Sequence, residues 1–147
     1  MTVQKILEEK GKDVWTIPPE AKVIDALKLM SDKGIGALVV SAQKRLKDVM
    51  GIISERDYAR KVILKGKSSL ETPVKDIMTR SVYCVHPETT EQECMALMTK
   101  NRIRHLPVIH NDKLVGLVSI GDILKSVISQ QKITIDHLEN YIKGKYM

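Results

Sequence analysis

An internal repeat is the feature that most restricts how this chain can fold. Residues 14–20 (VWTIPPE) align with residues 82–88 (VYCVHPE) at an offset of 68, and the register continues through the segment that follows. After a loop that is three residues longer in the first copy, residues 51–57 (GIISERD) align with residues 116–122 (GLVSIGD) at an offset of 65. Two copies of about sixty residues therefore fill most of the chain.

Each copy begins with the pattern of a strand followed by a helix. The short extended runs 14–17 and 82–85 are both closed by proline, which disfavours helical backbone in the residue before it. In the first copy, Val23, Ala26 and Met30 then recur at helical spacing and predict one apolar helix face. The second copy has the same arrangement.

The second half of each copy predicts a pair of strands and a closing helix. Residues 105–110 and 114–118 are strand-forming runs separated by Asn111 and Asp112, a turn signal that predicts a hairpin. The strand-helix-strand unit predicts parallel pairing and the hairpin adds an antiparallel strand. We therefore predict an α/β (α+β) fold of two β-α-β-β-α repeats, with small mixed sheets in pseudo-twofold symmetry and flanking N- and C-terminal helices.

The repeat predicts three segments in chain order. Residues 1–70 form the first repeat with an N-terminal helix and a linker, residues 71–131 form the second repeat, and residues 132–147 form a helical tail. Residues 3–7 (VQKIL) also resemble residues 74–78 (VKDIM), which favours a repeat that begins before the first predicted strand.

Composition excludes several classes of protein. A hydrophobic content of 43% argues against global disorder. The sequence has no apolar run near the ~20 residues that span a bilayer, so we expect a cytoplasmic protein without membrane attachment. Cys84 and Cys94 lie ten positions apart without a CxxC pair, which suits neither a disulfide scaffold nor a metal site.

Positive charge is concentrated in two segments. The net charge is +6, yet residues 42–67 alone carry +5 and residues 99–106 carry +3. Localised positive charge indicates either a solvated face or an anionic partner, which could be a phosphate-bearing small molecule or a polyanion. An aromatic content of 3% argues against stacking on single-stranded nucleic acid.

The repeated motif Gly-h-h-Ser-x-x-Asp, in which h is apolar, admits two interpretations. Ser54 with Asp57, and Ser119 with Asp122, lie where a predicted strand gives way to a helix. A serine at the N-cap with an acid three residues later is a variant of the capping box. The same place can bind a phosphate on free N–H groups and a ribose diol on the carboxylate. The two interpretations are compatible.

The tandem order of these motifs resembles a pair of cystathionine-β-synthase-type (CBS) domains, called a Bateman module. The resemblance covers residues 14–63 and 82–128, and residues 54–60 (SERDYAR) resemble stand-alone bacterial proteins of this type. It implies a regulatory binder and not an enzyme, with no catalytic residues and no catalytic cofactor. It also implies clefts that hold AMP, ADP, ATP or NAD, and a disc-like homodimer.

The resemblance implies roles for the repeated motifs. Asp57 and Asp122 would bind ribose hydroxyls, and Ser54 and Ser119 would face the sugar or phosphate.

Two further residues would line the adenine pockets. They are Thr16 and Cys84, which precede the first helix of each copy. Cys84 departs from the family pattern, because a thiol donates hydrogen bonds only weakly.

The two clefts should be chemically unequal. Residues 102–105 of the second copy (RIRH) include Arg104 and His105 just before its middle strand, where family members often place phosphate-contacting basic residues, whereas residues 34–37 of the first copy are GIGA. Arg56 and Arg60 follow Ser54, whereas Gly121 and Lys125 follow Ser119. We expect one well-occupied nucleotide site among Arg56, Arg60, Arg104 and His105 and a weaker or empty second cleft.

The sequence thus predicts an adenine-nucleotide sensor that acts on a regulated protein it does not identify. The alternative is a basic nucleic-acid binder that uses residues 44–67 on phosphate backbones. The scarcity of aromatic residues disfavours this alternative.

Overall fold

The computed structural model of the chain describes residues 1–11, 13–43, 48–130 and 139. The predicted tail at 132–147 lies outside the described residues apart from Glu139, as do the basic residues Lys44, Arg45 and Lys47. The helices and strands follow in the order α1 (Val3–Lys10), β1 (Thr16–Ile17), α2 (Val23–Lys33), β2 (Ala37–Ser41), β3 (Val49–Ser54), α3 (Glu55–Tyr58), α4 (Glu91–Asn101), β4 (His105–His110), β5 (Lys113–Ser119) and α5 (Ile120–Gln130). A π-helical turn (Ala59–Ile63) extends α3, and a 3-10 turn (Val74–Asp76) precedes the second repeat.

The predicted α/β (α+β) fold of two similar repeats is confirmed. In the first sheet β1 pairs parallel with β2, and β2 pairs antiparallel with β3. In the second sheet β4 pairs antiparallel with β5, and Val85 forms a parallel bridge with Val108. Both sheets are therefore small and mixed.

The predicted hairpin of the second repeat is also confirmed. Asn111 and Asp112 connect β4 to β5 with φ values of 50° and 64°. Two consecutive left-handed residues are typical of the tight turn that matches the twist of antiparallel strands, and asparagine and aspartate tolerate it best among residues with a side chain.

The predicted strand at 82–85 is wrong except for its last residue. The N–H of Val85 donates to the carbonyl of Pro107 at 2.9 Å, and the N–H of Ile109 donates to the carbonyl of Val85 at 2.8 Å. Continuing this parallel ladder would require an N–H at Pro107 for the carbonyl of Tyr83, and proline has none. The residues before Val85 therefore leave the sheet.

The helix α1 packs on the second repeat, although it precedes the first in the chain. Val3, Ile6 and Leu7 are buried in one core with Val108 and Val118. The sequence-based division, which places this helix with residues 1–70, therefore does not describe the packing.

The segment before the second repeat packs on the first repeat. Val74, Ile77 and Met78 are buried in the core of the first repeat, so the predicted linker ends in core residues. The N–H of Val74 donates to Ala21 at 2.8 Å, just as the N–H of Val3 donates to Thr89 at 2.8 Å. The two halves thus exchange their first segments.

Within the residues described, the helices are all too short or too polar to cross a bilayer.

Candidate functional site

A cleft of about 630 Å³ lies between the two repeats. One side is formed by the end of β3 and by α3, and the other by the segments that lead to Val85 and to β4. Its lining consists of Gly36, Ile52, residues 54–57, Arg60, Lys61, Thr79, residues 81–83 and residues 102–105. Both repeats are therefore needed to build it.

Ser54 and Asp57 form a capping box at the start of α3. The Ser54 hydroxyl accepts from the N–H of Asp57 at 3.1 Å, and Asp57 Oδ2 accepts from the N–H of Ser54 at 3.0 Å. The structural interpretation of this motif is thereby confirmed. The box also holds the Asp57 carboxylate in one orientation at the cleft wall.

The second oxygen of the Asp57 carboxylate has two further partners. Thr79 Oγ1 donates to Asp57 Oδ1 at 3.1 Å, and Lys61 Nζ lies 3.1 Å from the same oxygen. The Asp57 side chain is 11% exposed, whereas that of Lys61 is 43% exposed. Lys61 Nζ also donates to the carbonyl of Ile77 at 3.0 Å, so a ligand hydroxyl can use this oxygen of Asp57 only after Lys61 leaves both partners.

The cleft is strongly basic. Its charged side chains are Arg56, Arg60, Lys61, Arg102 and Arg104 against Glu55 and Asp57, a net charge of +3. Within the described part of the chain, none of the four guanidinium groups has a hydrogen-bond or ion-pair partner. Unpaired guanidinium groups around one cavity are suited to bidentate binding of phosphate oxygens.

His105 connects this cleft to the second repeat. It lines the cavity and pairs with Ser119 across β4 and β5. Burial and the positive charges of Lys10 and Arg104 hold the pKa of His105 below its ordinary value, and the carboxylates of Asp122 and Asp57 oppose this shift only in part. The imidazole is therefore neutral at pH 7.

The same motif in the second repeat has a different partner. The Ser119 N–H donates to Asp122 Oδ2 at 2.8 Å, and the N–H of Asp122 donates to Ser119 Oγ at 3.2 Å. Lys10 Nζ lies 2.7 Å from Asp122 Oδ2 and donates to the carbonyl of Leu117 at 2.7 Å. Burial raises the pKa of Asp122, but the bonds from Lys10 and Ser119 outweigh it, so this pKa lies below its ordinary value.

The predicted site residues fall into two groups. Six of them line the cleft, namely Ser54, Arg56, Asp57, Arg60, Arg104 and His105. Thr16, Cys84, Ser119 and Asp122 are not among its lining residues. Thr16 pairs with Val39 in the first sheet, and Cys84 packs against the core residues Val39, Ile109 and Leu114.

Several lining residues were not predicted as site residues. Thr79 and Lys61 contact the Asp57 carboxylate, and Tyr83 is 40% exposed on the opposite side. The similarity of residues 74–78 to residues 3–7 was the available signal for Thr79, because it marks a segment that packs against a repeat. Arg102 was visible in the basic segment before the middle strand of the second copy, although only Arg104 and His105 were predicted as site residues there.

Of the two cysteine thiols, Cys94 is buried and Cys84 is half-buried. Burial, Glu93 and Glu91 raise the pKa of Cys94 to about 11, and burial raises the pKa of Cys84. Both thiols are free. Because their pKa values are raised, neither has the thiolate character of a reactive cysteine. Among the described residues, no group of three or more His, Cys, Asp and Glu side chains is placed to hold a metal ion.

Comparison with known proteins gives consistent matches. The CBS domain family model matches residues 10–64 and 74–129. The CBS domain-containing protein CBSX3, mitochondrial, of Arabidopsis thaliana is 41% identical over 152 residues, which cover 99% of this chain and 73% of that protein. The chain spans less than two thirds of several other relatives, such as 60% of the Methanopyrus kandleri protein MK0525, with which it is 36% identical.

Solved structures resemble the whole described fold. A protein described as a signal-transduction protein with CBS domains, from Burkholderia ambifaria MC40-6, has a TM-score of 0.83 and 49% identity, and the match covers 92% of this chain and 99% of that one. The hexameric CBS-CP12 protein from bloom-forming cyanobacteria has a TM-score of 0.78 and 32% identity over 98% of this chain and 82% of its own.

The two repeats and the cleft between them define a tandem α+β module of the regulatory class. The chain belongs to the CBS domain family. It is a CBS-domain pair, a general regulatory module in signal-transduction proteins.

Proposed function

We propose that the protein is a regulatory adenine-nucleotide binder whose ligand occupies the basic cleft between the repeats. The observation that carries this proposal is the placement of the Asp57 carboxylate and four unpaired guanidinium groups around one cavity. A carboxylate beside a cationic surface matches a ribose diol beside phosphates. The ligand is AMP, ADP or ATP, with NAD as a further candidate.

Each part of the nucleotide has a chemically suitable partner in the cleft. Asp57 Oδ1 accepts from the ribose hydroxyls when Lys61 turns outward, and the Ser54–Asp57 box keeps the carboxylate in place. The phosphates bind the guanidinium groups. The base packs against the apolar side chains of Val82, Tyr83 and Ile103. Thr16 and Cys84 take no part in this cleft.

The second motif binds its ligand more weakly. Lys10 Nζ lies 2.7 Å from the Asp122 carboxylate, closer than Lys61 Nζ lies to Asp57 at 3.1 Å, and it must leave before a ribose can bind there. The first copy also supplies Gly34 and Gly36 where the second supplies Arg102 and Arg104. We therefore expect one nucleotide per chain, with Ser119 and Asp122 in the weaker position.

Occupancy of the cleft is the regulatory signal in this proposal. The ligand stabilises whichever arrangement of the two repeats contacts it better, and a partner reads that arrangement. The partner is a second copy of the chain in a disc-like homodimer, or a regulated protein. The protein itself carries out no catalysis, and it acts in the cytoplasm.

Isothermal titration calorimetry with AMP, ADP, ATP, NAD and S-adenosylmethionine tests the proposal. We expect one site per chain and loss of roughly tenfold in affinity in Asp57→Asn, because a hydrogen bond to a charged group is removed. Asp32→Asn, an exposed residue of α2 outside the cleft, is the matched control. Two equal and independent sites would contradict the proposal, as would binding that Asp57→Asn leaves unchanged.

Salt dependence separates this function from the nucleic-acid alternative. A polyanion bound along residues 44–67 loses roughly a thousandfold in affinity between 50 mM and 200 mM salt, whereas a nucleotide in a defined pocket loses far less. Duplex and single-stranded DNA binding that is tighter than nucleotide binding at 200 mM salt would favour the alternative.

A further inference from the structure

Arg102 has a backbone conformation that disfavours any residue with a side chain. It follows α4 with φ 54° and ψ 46°, which is left-handed. In this region the Cβ atom of an L-residue crowds the following carbonyl oxygen, so helices commonly use glycine at this position.

The first repeat contains the unstrained version of the same position. Gly34 follows α2 with φ 64° and ψ 38° and is offset from Arg102 by 68 residues, as is the rest of this part of the repeat. The two helices thus end in the same way, once with the residue that the geometry favours and once with arginine. Helix termination alone does not account for Arg102.

The side chain of Arg102 is placed at the cleft. Arg102 is exposed and lines the cavity beside Arg104, and Arg56 and Arg60 line it from the first repeat. No hydrogen-bond or ion-pair partner of its guanidinium group exists among the described residues. The unfavourable backbone therefore presents a cation that the folded chain itself leaves unpaired.

The charge of the cleft exceeds what one phosphate group neutralises. The lining carries +3 with His105 neutral, whereas a phosphate monoester carries about −1.5 to −2 at pH 7. This excess of positive charge favours a ligand with two or more phosphates.

We propose that Arg102 is the residue by which this cleft prefers a nucleoside polyphosphate to a nucleoside monophosphate. The inference rests on the proposed nucleotide site and adds the class of ligand and the residue that selects it. Arg102 binds the terminal phosphates, and the second repeat retains arginine in place of glycine at a cost in stability.

The test measures stability and affinity in the same three variants of the full chain. Arg102→Gly relieves the backbone and removes the charge, and Arg102→Lys keeps the charge but removes the bidentate fork. Asn111→Gly is the matched control, because Asn111 also has a left-handed φ of 50° but lies in the hairpin turn outside the cleft. Melting temperatures and calorimetric titrations with ATP and AMP are recorded for each.

We expect Arg102→Gly to raise the melting temperature by roughly 2–4 °C and Asn111→Gly to raise it less, because asparagine tolerates the left-handed region better than arginine does. Arg102→Gly should weaken ATP binding roughly tenfold or more and AMP binding less than about threefold. Arg102→Lys should lie between the wild type and Arg102→Gly for ATP. Asn111→Gly should leave both affinities unchanged.

The outcomes separate the two proposals. If the wild type binds nucleotide but Arg102→Gly weakens ATP and AMP equally, or weakens neither, the role of Arg102 is overturned and the nucleotide site stands. If Arg102→Gly lowers the melting temperature, the strain argument is overturned. If the wild type binds neither nucleotide, both proposals fail together.

Discussion

Lys10 Nζ lies 2.7 Å from Asp122 Oδ2, so an ion pair joins the last residue of α1 to the first turn of α5 across 112 positions of sequence. This pair connects the exchanged N-terminal helix to the second Ser-x-x-Asp motif. It stabilises the fold and occupies a carboxylate that the resemblance assigns to a ligand.

The Lys10–Asp122 pair should make stability depend on pH in the acid range. The pKa of Asp122 is lowered in the folded protein from its ordinary value of 3.8, so the carboxylate stabilises the fold above that pH. This contribution is lost as the pH falls through the lowered pKa. We expect Asp122→Asn to cost about 1 kcal/mol at pH 7 and progressively less below pH 4.

Urea unfolding at a series of pH values measures this dependence. In a Lys10→Met background, Asp122→Asn should lower the free energy of unfolding by less than it does in the wild type, because the lysine partner is already absent. Equal differences with and without Lys10 would contradict the assignment of the effect to this pair.

Thr79 should act as a positioning residue for Asp57. Thr79→Val removes the hydroxyl that donates to Asp57 Oδ1 at 3.1 Å, and we expect a loss of about 1 kcal/mol in the free energy of unfolding. Nucleotide affinity should fall together with stability, and Thr79→Ser should restore both. Denaturant unfolding and calorimetry give the two quantities, and failure of the serine variant to restore affinity would refute the role.

Protonation of His105 should be coupled to phosphate binding. The pKa of His105 is lowered by burial, Lys10 and Arg104, with Asp122 and Asp57 in opposition. A bound phosphate favours the imidazolium and raises this pKa, so affinity should rise as the pH falls from about 7.5 to about 6. His105→Gln should remove this component, and the comparison with the variant subtracts the titration of the phosphate itself.

Gly51 and Gly116 should respond differently to alanine. A Cβ at Gly51 would lie 2.6 Å from the carbonyl oxygen of Thr79, whereas one at Gly116 would lie 2.8 Å from Leu7 Cδ1. A backbone atom yields less readily than a side chain, so Gly51→Ala should cost roughly 1–3 kcal/mol and Gly116→Ala less. Leu7→Val should recover part of the loss in Gly116→Ala only, as measured by urea unfolding.

The repeat and the local patterns predicted most of the fold. The strand His105–His110 occurs where the sequence placed it, because it is a run of strand-forming residues that ends at a turn signal. The prediction of a strand at 82–85 was wrong because Pro107, on the neighbouring strand, has no N–H to donate to it. A pattern within one segment does not contain this information.

The site was predicted in part for a similar reason. The motif located Ser54 and Asp57, and the unequal basic residues located Arg104 and His105, all of which line the cleft. The roles of Thr79 and Lys10 could not be predicted, because they depend on which half each connecting segment covers. The segment with Thr79 packs against Gly51 and the helix with Lys10 packs against Gly116. The periodicity of each segment does not show this.

The exchange of segments has a consequence for the order in which the chain acquires structure. Residues 3–10 are synthesised before either sheet, yet Leu7 packs on β5, more than a hundred positions later. Contacts of such large sequence separation close slowly, because the loop entropy is lost before the contacts form. During synthesis the apolar face of α1 therefore remains uncovered until the second repeat is complete, and this interval is when the nascent chain is most exposed to aggregation.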